Sequence, residues 1–470
     1  MVADWVVECF VYSFPSGLFG VLCFAKSNTF VRNDMARNSI GMALSFVNKI
    51  AGSDIVNKLN LKKPAERIAY YSTRTGFQLM STANERISQV KSLLRSPMGW
   101  GDAVDDQVFD PMLSEQQQLL QNDIIRFAQD VLRPGKEECE SMNNVTPCVR
   151  ELFSELKLLN YALPASLGGV QEKTSPVTSV MIAEAMAYGD LGASVQLLSN
   201  YSVVNALVRW ASPAQQSFYL GRMVGDPTYK SVLAINEPGV LFNPHSLMVK
   251  ASTVKNGILL NGTKTMVAGG VEADLVLVAA QLPDHSTALF AVETNTPGVT
   301  ALPKNAMGLR AAGLADILFE DVLVDESSMV REAGFSWPDF LSFGSLMWCA
   351  AAVGVAQALL DYVVPYCNDR VVFGEPLSHR QSVAFMIADM ATEIEAMRLM
   401  TCRAAGRAEQ GLDFYREACL ARQFCNTRVK RIASDGVQLL GGHGFTKEHP
   451  VERWYRDLIA VPINCNNFHA

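Results

Sequence analysis

The chain has 470 residues, 49% hydrophobic and 19% charged, with a net charge of −7 and a pI near 5.5. This length and composition allow several domains with sizeable cores and exclude a disordered chain. The acidic balance, with no Lys/Arg-dense stretch, excludes a nucleic-acid binder; the short cluster Lys62, Lys63, Arg67 reads as a solvated helix face. The ten cysteines show no CxxC spacing and the six histidines no HExxH pair. The expectation is therefore no metal site, reduced buried thiols and a soluble, intracellular (cytoplasmic) protein, with mitochondrial or membrane-associated placement left open.

From Trp5 to Phe24 the chain is apolar, interrupted by Glu8 and Pro15, with no positive charge ahead of it. It falls short of both a secretory signal and a clean membrane span. Weak membrane contact through residues 5–24 and a true start at Met35 both remain open. Residues 36–110 are weakly helical in pattern, broken by Pro64, Pro97 and Gly99. Residues 1–110 are read as an N-terminal extension with no assigned chemistry.

At Leu113 the pattern sharpens. Ser114 followed by Gln117 predicts a capping box, and Leu120, Ile124, Phe127 and Val131 recur at helical spacing until Pro134, which should end that helix. Further helices are predicted over 149–159, 174–188 and 192–208, making an all-α domain over 111–229. Near residue 230 the period falls to two: SVLAIN, LMVKAS, GILLNG, DLVLVAAQ, TALFAVE and DILFEDVLV read as strands. Asn256-Gly257 predicts a type I′ hairpin and Pro297-Gly298 a turn. Five or six strands over 230–330 predict a small barrel or sandwich. From 331 to 470 the helical period returns in runs over 345–370, 378–409 and 412–440, with Pro365 expected to kink the first; short connections imply a bundle. The fold class is α+β: helical domain, β domain, helical bundle.

Six segments carried in this order resemble the acyl-CoA dehydrogenase family over roughly residues 113–463. LSEQQQLLQNDIIRFAQDVLRP resembles its first helix and LLNYALPASLGGV its LLGL-x-x-P-x-x-x-GG segment. NEPG at 236–239 stands where the family has TEPG, and FEDVLV at 319–324 closes the β domain. DRVVFGEPLSHRQSVAFMIADM at 369–390 and QLLGGHGFTKEHPVERWYRD at 438–457 resemble the family's R-x-x-FG and Q-x-x-GG-x-G segments. Each segment alone is a common turn or helix end; their shared order and spacing are specific.

The resemblance implies an FAD-dependent oxidoreductase that takes hydrogen from the α and β carbons of an acyl-CoA, passes electrons to an acceptor such as an electron-transfer flavoprotein, and assembles as a homo-dimer or tetramer. It places Asn236 and Ala268 where two threonines would contact the flavin. Arg370 matches the pyrophosphate arginine, Phe373 and Gln381 match cofactor neighbours, and Gln438, Gly441 and Gly442 match a turn that lets backbone approach FAD.

The sequence also departs from the family. Removing an α proton needs a positioned general base, a glutamate in relatives. Counted from Arg456-Asp457, Cys465 falls at one of the family's two base positions; counted back from VGVAQALLD, Gly344 falls at the other. Neither is a carboxylate. The family's W-I-T triplet is Met266, Val267, Ala268 here, and its G-S-D is replaced by the stretch Val240 to Pro244. The family continues past the point where this chain stops, Ala470, so a truncated reading and a divergent member are both open. Two further readings follow: a catalytically silent binding or scaffold protein that keeps the fold, and a member performing other flavin chemistry.

Overall fold

The computed structural model describes residues 113–226, 228–239, 242–331 and 334–463, together with the backbone of two paired strands, β1 (Val7–Ser13) and β2 (Phe19–Ala25). The apolar segment 5–24 thus includes strand residues; the predicted helices of 36–110 lie outside the described residues.

Helix α1 (Glu115–Phe127) starts as its sequence predicts. Ser114 Oγ accepts from Gln117 N–H at 3.3 Å, and the Gln117 side chain accepts from Ser114 N–H at 2.9 Å. Pro134 does not end it. The helix passes through a π-helical stretch, Ala128–Leu132, into α2 (Arg133–Met142), with Pro134 in the first turn of α2. The wider turn, in which Arg133 N–H reaches back to Ala128 O, shifts the register so that proline falls where no donor is required. Four more elements follow in order: α3 (Pro147–Glu155), α4 (Leu159–Ala162), α5 (Pro176–Ala187) and α6 (Leu191–Leu197). Helices α7 (Ser199–Trp210) and α8 (Pro213–Gly225) complete the domain. The run expected over 192–208 is divided between α6 and α7 at Leu198.

The β domain is one mixed sheet of eight strands. They are β3 (Ser231–Ala234), β4 (Lys250–Val254), β5 (Gly257–Ala268), β6 (Leu275–Gln281), β7 (Thr287–Glu293), β8 (Val299–Pro303), β9 (Leu314–Val324) and β10 (Met329–Val330). Their order is β10-β7-β6-β4-β5-β9-β8, with β3 running parallel beside β6. β8 and the two-residue β10 were not among the predicted strands. Alternation gives the sheet two buried faces. Val232, Val276, Val278, Phe290 and Phe319 fill one; Leu233, Leu275, Leu277, Leu289 and Ala268 belong to the core shared with the helices. The β4–β5 hairpin forms, but not as a type I′ turn. Val254 pairs with Gly257, so Lys255-Asn256 is the loop, and the positive φ falls on Gly257 at 139°. A Cβ there would lie 2.4 Å from the Val324 carbonyl oxygen, which is why the position requires glycine.

The bundle contains α9 (Trp337–Asp369), α10 (Gln381–Glu409), α11 (Tyr415–Leu440) and α12 (Val451–Ala460). A hairpin, β11 (Val371–Val372) with β12 (Glu375–Pro376), follows α9, which extends through Pro365. Helix α9 is long and apolar enough to cross a membrane, yet 89% of its most apolar window is buried inside the fold, as expected of a core helix. Gly354 lets it touch α5: a Cβ there would lie 2.1 Å from the Glu184 carbonyl oxygen.

Candidate active site

Six of the residues singled out by sequence gather at one end of the bundle, where α9 ends, α10 begins and α11 ends. Arg370 caps α9 through its N–H to Tyr366 O, and its carbonyl accepts from Leu377 N–H at 2.7 Å. Phe373, in the hairpin, is 93% exposed with φ 55°. Gln381 opens α10 and Gln438 stands in the last turn of α11, both exposed. Gly441 stops α11 at φ 59° and ψ −131°, a conformation that strongly favours glycine. A Cβ on Gly441 or Gly442 would meet no atom within 4 Å, so this backbone faces open space. The turn is pinned from below: Tyr366 and Tyr362, one turn apart on α9, hold the Nδ1 atoms of the stacked His443 and His449 at 3.0 and 2.7 Å.

The other two residues lie in the β domain. Asn236 and Ala268 are buried, and the carbonyl of Asn236 accepts from Thr265 N–H at 2.8 Å, joining the end of β3 to β5. Between Lys264 and Val267 strand β5 carries an irregular register, with Met266 at φ 57°. A left-handed methionine is strained, and such strain concentrates at ligand-binding positions. The pairing beneath it was not legible in the sequence. Lys264 and Glu237, both fully enclosed, form an ion pair at 2.8 Å; Lys264 also donates to Ile235 O at 3.0 Å, and Glu237 accepts from Met248 and Val249 N–H at 2.5 and 2.9 Å. Burial lowers Lys264 to about 8 against the pull of Glu237. Glu237 lies within the NEPG motif, a signal that marks one partner and leaves Lys264 hidden.

These positions fit a flavin dinucleotide unevenly. The bundle end offers an arginine, two exposed glutamines and open glycine backbone to a pyrophosphate. The β-domain end offers strained backbone and no hydroxyl at Ala268. Of the two base positions, Gly344 lies buried in α9 and brings no carboxylate, and Cys465 lies outside the described residues.

The arginines and the aspartate of the R-x-x-RD element tie the bundle to the other domains. Arg453 bonds Glu140 at 2.5 Å and Asp190 at 3.5 Å, Arg456 bonds Glu140 at 2.7 Å, and Asp457 accepts from Leu309 N–H at 2.6 Å. Burial first, then the neighbouring Asp190, pushes Asp457 up to about 7 from an ordinary 3.8. Between those two values the folded chain keeps a proton that the unfolded chain releases, so this group makes stability fall as pH rises through the window and level off above about 7. Asp457→Asn keeps the acceptor for Leu309 and removes the titration. Its urea midpoint is expected to vary less than wild type between pH 5 and 7, and equal slopes would refute this role.

Three domains in this order, a sheet lying between two helical domains, and a glycine turn at the bundle end define a flavin-dependent dehydrogenase architecture. Three domains of the acyl-CoA dehydrogenase family match in succession: the N-terminal domain over residues 114–226, the middle domain over 232–322 and the C-terminal domain over 338–463. The chain belongs to the acyl-CoA dehydrogenase family, FAD-dependent oxidoreductases acting on CH–CH donors. It is 32% identical over 362 residues to cyclohex-1-ene-1-carbonyl-CoA dehydrogenase of Geobacter metallireducens, covering 75% of this chain and 94% of that protein. It is 29% identical to an acyl-CoA dehydrogenase of Bacillus subtilis, covering 74% and 94%. Among solved structures, butyryl-CoA dehydrogenase from Megasphaera elsdenii superposes with a TM-score of 0.69 at 27% identity, covering 75% of this chain and 95% of that one. A chain solved with the electron transferring flavoprotein study of Acidaminococcus fermentans gives 0.69 at 26% identity, with coverage of 75% and 95%.

Proposed function

We propose that this chain binds FAD between the β domain and the bundle and dehydrogenates an acyl-CoA at its α and β carbons, passing electrons to an electron-transfer flavoprotein inside the cell. The observation that carries the reading is the open turn at Gly441 and Gly442 beside Arg370 and Gln438, a cradle a side chain would fill. FAD bound there supplies the hydride acceptor. The chain's own part is positioning: Arg370 would neutralise the pyrophosphate, backbone at Gly441 and Gly442 would approach it, and the strained stretch at Met266 would present backbone to the ring. Phe373 and Phe445, 93% and 87% exposed, are surfaces a second copy would cover, so we propose a homo-oligomer.

A second reading, a silent member that keeps the fold, is favoured by Gly344. The visible spectrum after incubation with FAD and desalting separates the two. Retained flavin absorption is expected. A colourless protein that is folded by circular dichroism would sink the oxidoreductase reading and leave the silent one.

A further inference from the structure

Helix α7 carries a polar stripe of two buried residues, Tyr201 and Asn205, and the half-buried Arg209, each four residues after the last. The Tyr201 hydroxyl is settled, 2.9 Å from Ser179 Oγ. Asn205 is 1% exposed and lies beside Tyr201; its amide oxygen and nitrogen are buried without a hydrogen bond of good geometry. Arg209 is the anomaly. Its Nε and Nη2 are buried and unpartnered. Among the described residues, no carboxylate pairs with it. Its guanidinium lies 4.0 Å from the centre of the Phe343 ring, and burial lowers it to about 10, with only Tyr201 pulling the other way.

Arg209 is half-buried, yet its Nε and Nη2 are buried with neither a partner nor a counter-charge, an arrangement that costs free energy until something fills it. The two unfilled donors are informative. Nε–H and Nη2–H point the same way from the guanidinium edge, the pair that grips a carboxylate with two parallel bonds. The location is informative too. Phe343, under the guanidinium, immediately precedes Gly344, where the family resemblance puts a catalytic base and therefore the reacting carbons. Trp348 is four residues further along the same face of α9 and 4% exposed.

We propose that Arg209, with Asn205 beside it, anchors a carboxylate at the far end of the acyl group, so that the substrate is an ω-carboxyacyl-CoA. This rests on the acyl-CoA reading given above. Arg209 then acts in specificity: a site built to bond a polar group rejects the analogue lacking it far more strongly than an apolar pocket rejects a methylene.

The test is calorimetric titration of the full chain, with FAD supplied, using succinyl-, glutaryl- and adipyl-CoA against butyryl-, pentanoyl- and hexanoyl-CoA. At least one ω-carboxyl member is expected to bind about 10²-fold tighter than the plain chain of its length. Arg209→Met is expected to abolish that preference. Arg209→Lys, which keeps a charge without the paired donors, should retain only part of it. Thermal melting separates binding from a structural role: without ligand, Arg209→Met should melt no lower than wild type, because it removes an unpaired buried charge. A lower melting temperature with unchanged preference would assign Arg209 to structure and overturn the proposal. Equal affinity within every pair would overturn it while leaving the acyl-CoA reading intact, and failure of all six to bind would overturn both. If Arg209→Met does not fold, an Arg209→Lys preference equal to wild type is the overturning result.

Discussion

Glu237→Ala is expected to destabilise the protein by about 3–5 kcal/mol, the range for breaking a buried ion pair by removing one partner. The loss has three sources on the structure. Lys264 would stay enclosed, with the Ile235 carbonyl as its remaining described partner, and the Met248 and Val249 N–H groups would lose their acceptor. Unpaired buried donors add to the penalty of the stranded charge. Urea unfolding of wild type and variant measures it, and a loss below about 1 kcal/mol would contradict the burial of the pair. Replacing both partners by methionine should recover much of the loss, since apolar side chains of similar volume often match a buried pair. The effect reaches the site, because Asn236 sits next to Glu237 and is bonded to Thr265, the neighbour of Lys264.

The second large effect concerns catalysis. Gly344→Glu is expected to speed flavin bleaching by acyl-CoA under anaerobic conditions by about 10²–10⁴-fold, the usual contribution of a positioned general base. Gly344 is the buried position of α9 that the family resemblance assigns to a base, and the core around it would also hold the new carboxyl's pKa up, towards working pH. Gly344→Gln is the control: it has similar bulk and cannot accept the proton. Equal rates in the two variants, with flavin retained in both, would show that the limiting step lies elsewhere.

Much of the fold was legible because its signals are local. The Ser114–Gln117 capping box is set by four consecutive residues. The strands β5, β6, β7 and β9 announce themselves by period and β-branched content. Errors arose where backbone pairing, local or distant, decides. Pro134 was expected to stop a helix that a π-helical stretch carries past it. The hairpin loop is Lys255-Asn256, one residue earlier than the predicted Asn256-Gly257, because Val254 pairs with Gly257. Short β8 and β10 exist through pairing with β9 and β7.

The domain order, the family motifs in their spacing and the lack of a carboxylate at Gly344 were legible from the chain of residues. All three are properties of position along the chain. The tertiary structure alone decided that Lys264 meets Glu237 across 27 residues, that the bundle-end residues from Arg370 to Gly442 gather on one surface, and that Arg209 lies over Phe343 with two donors unfilled. Burial and charge pairing belong to the packed chain: an arginine in an apolar run reads as surface until neighbouring helices enclose it, and only then is the missing counter-charge visible.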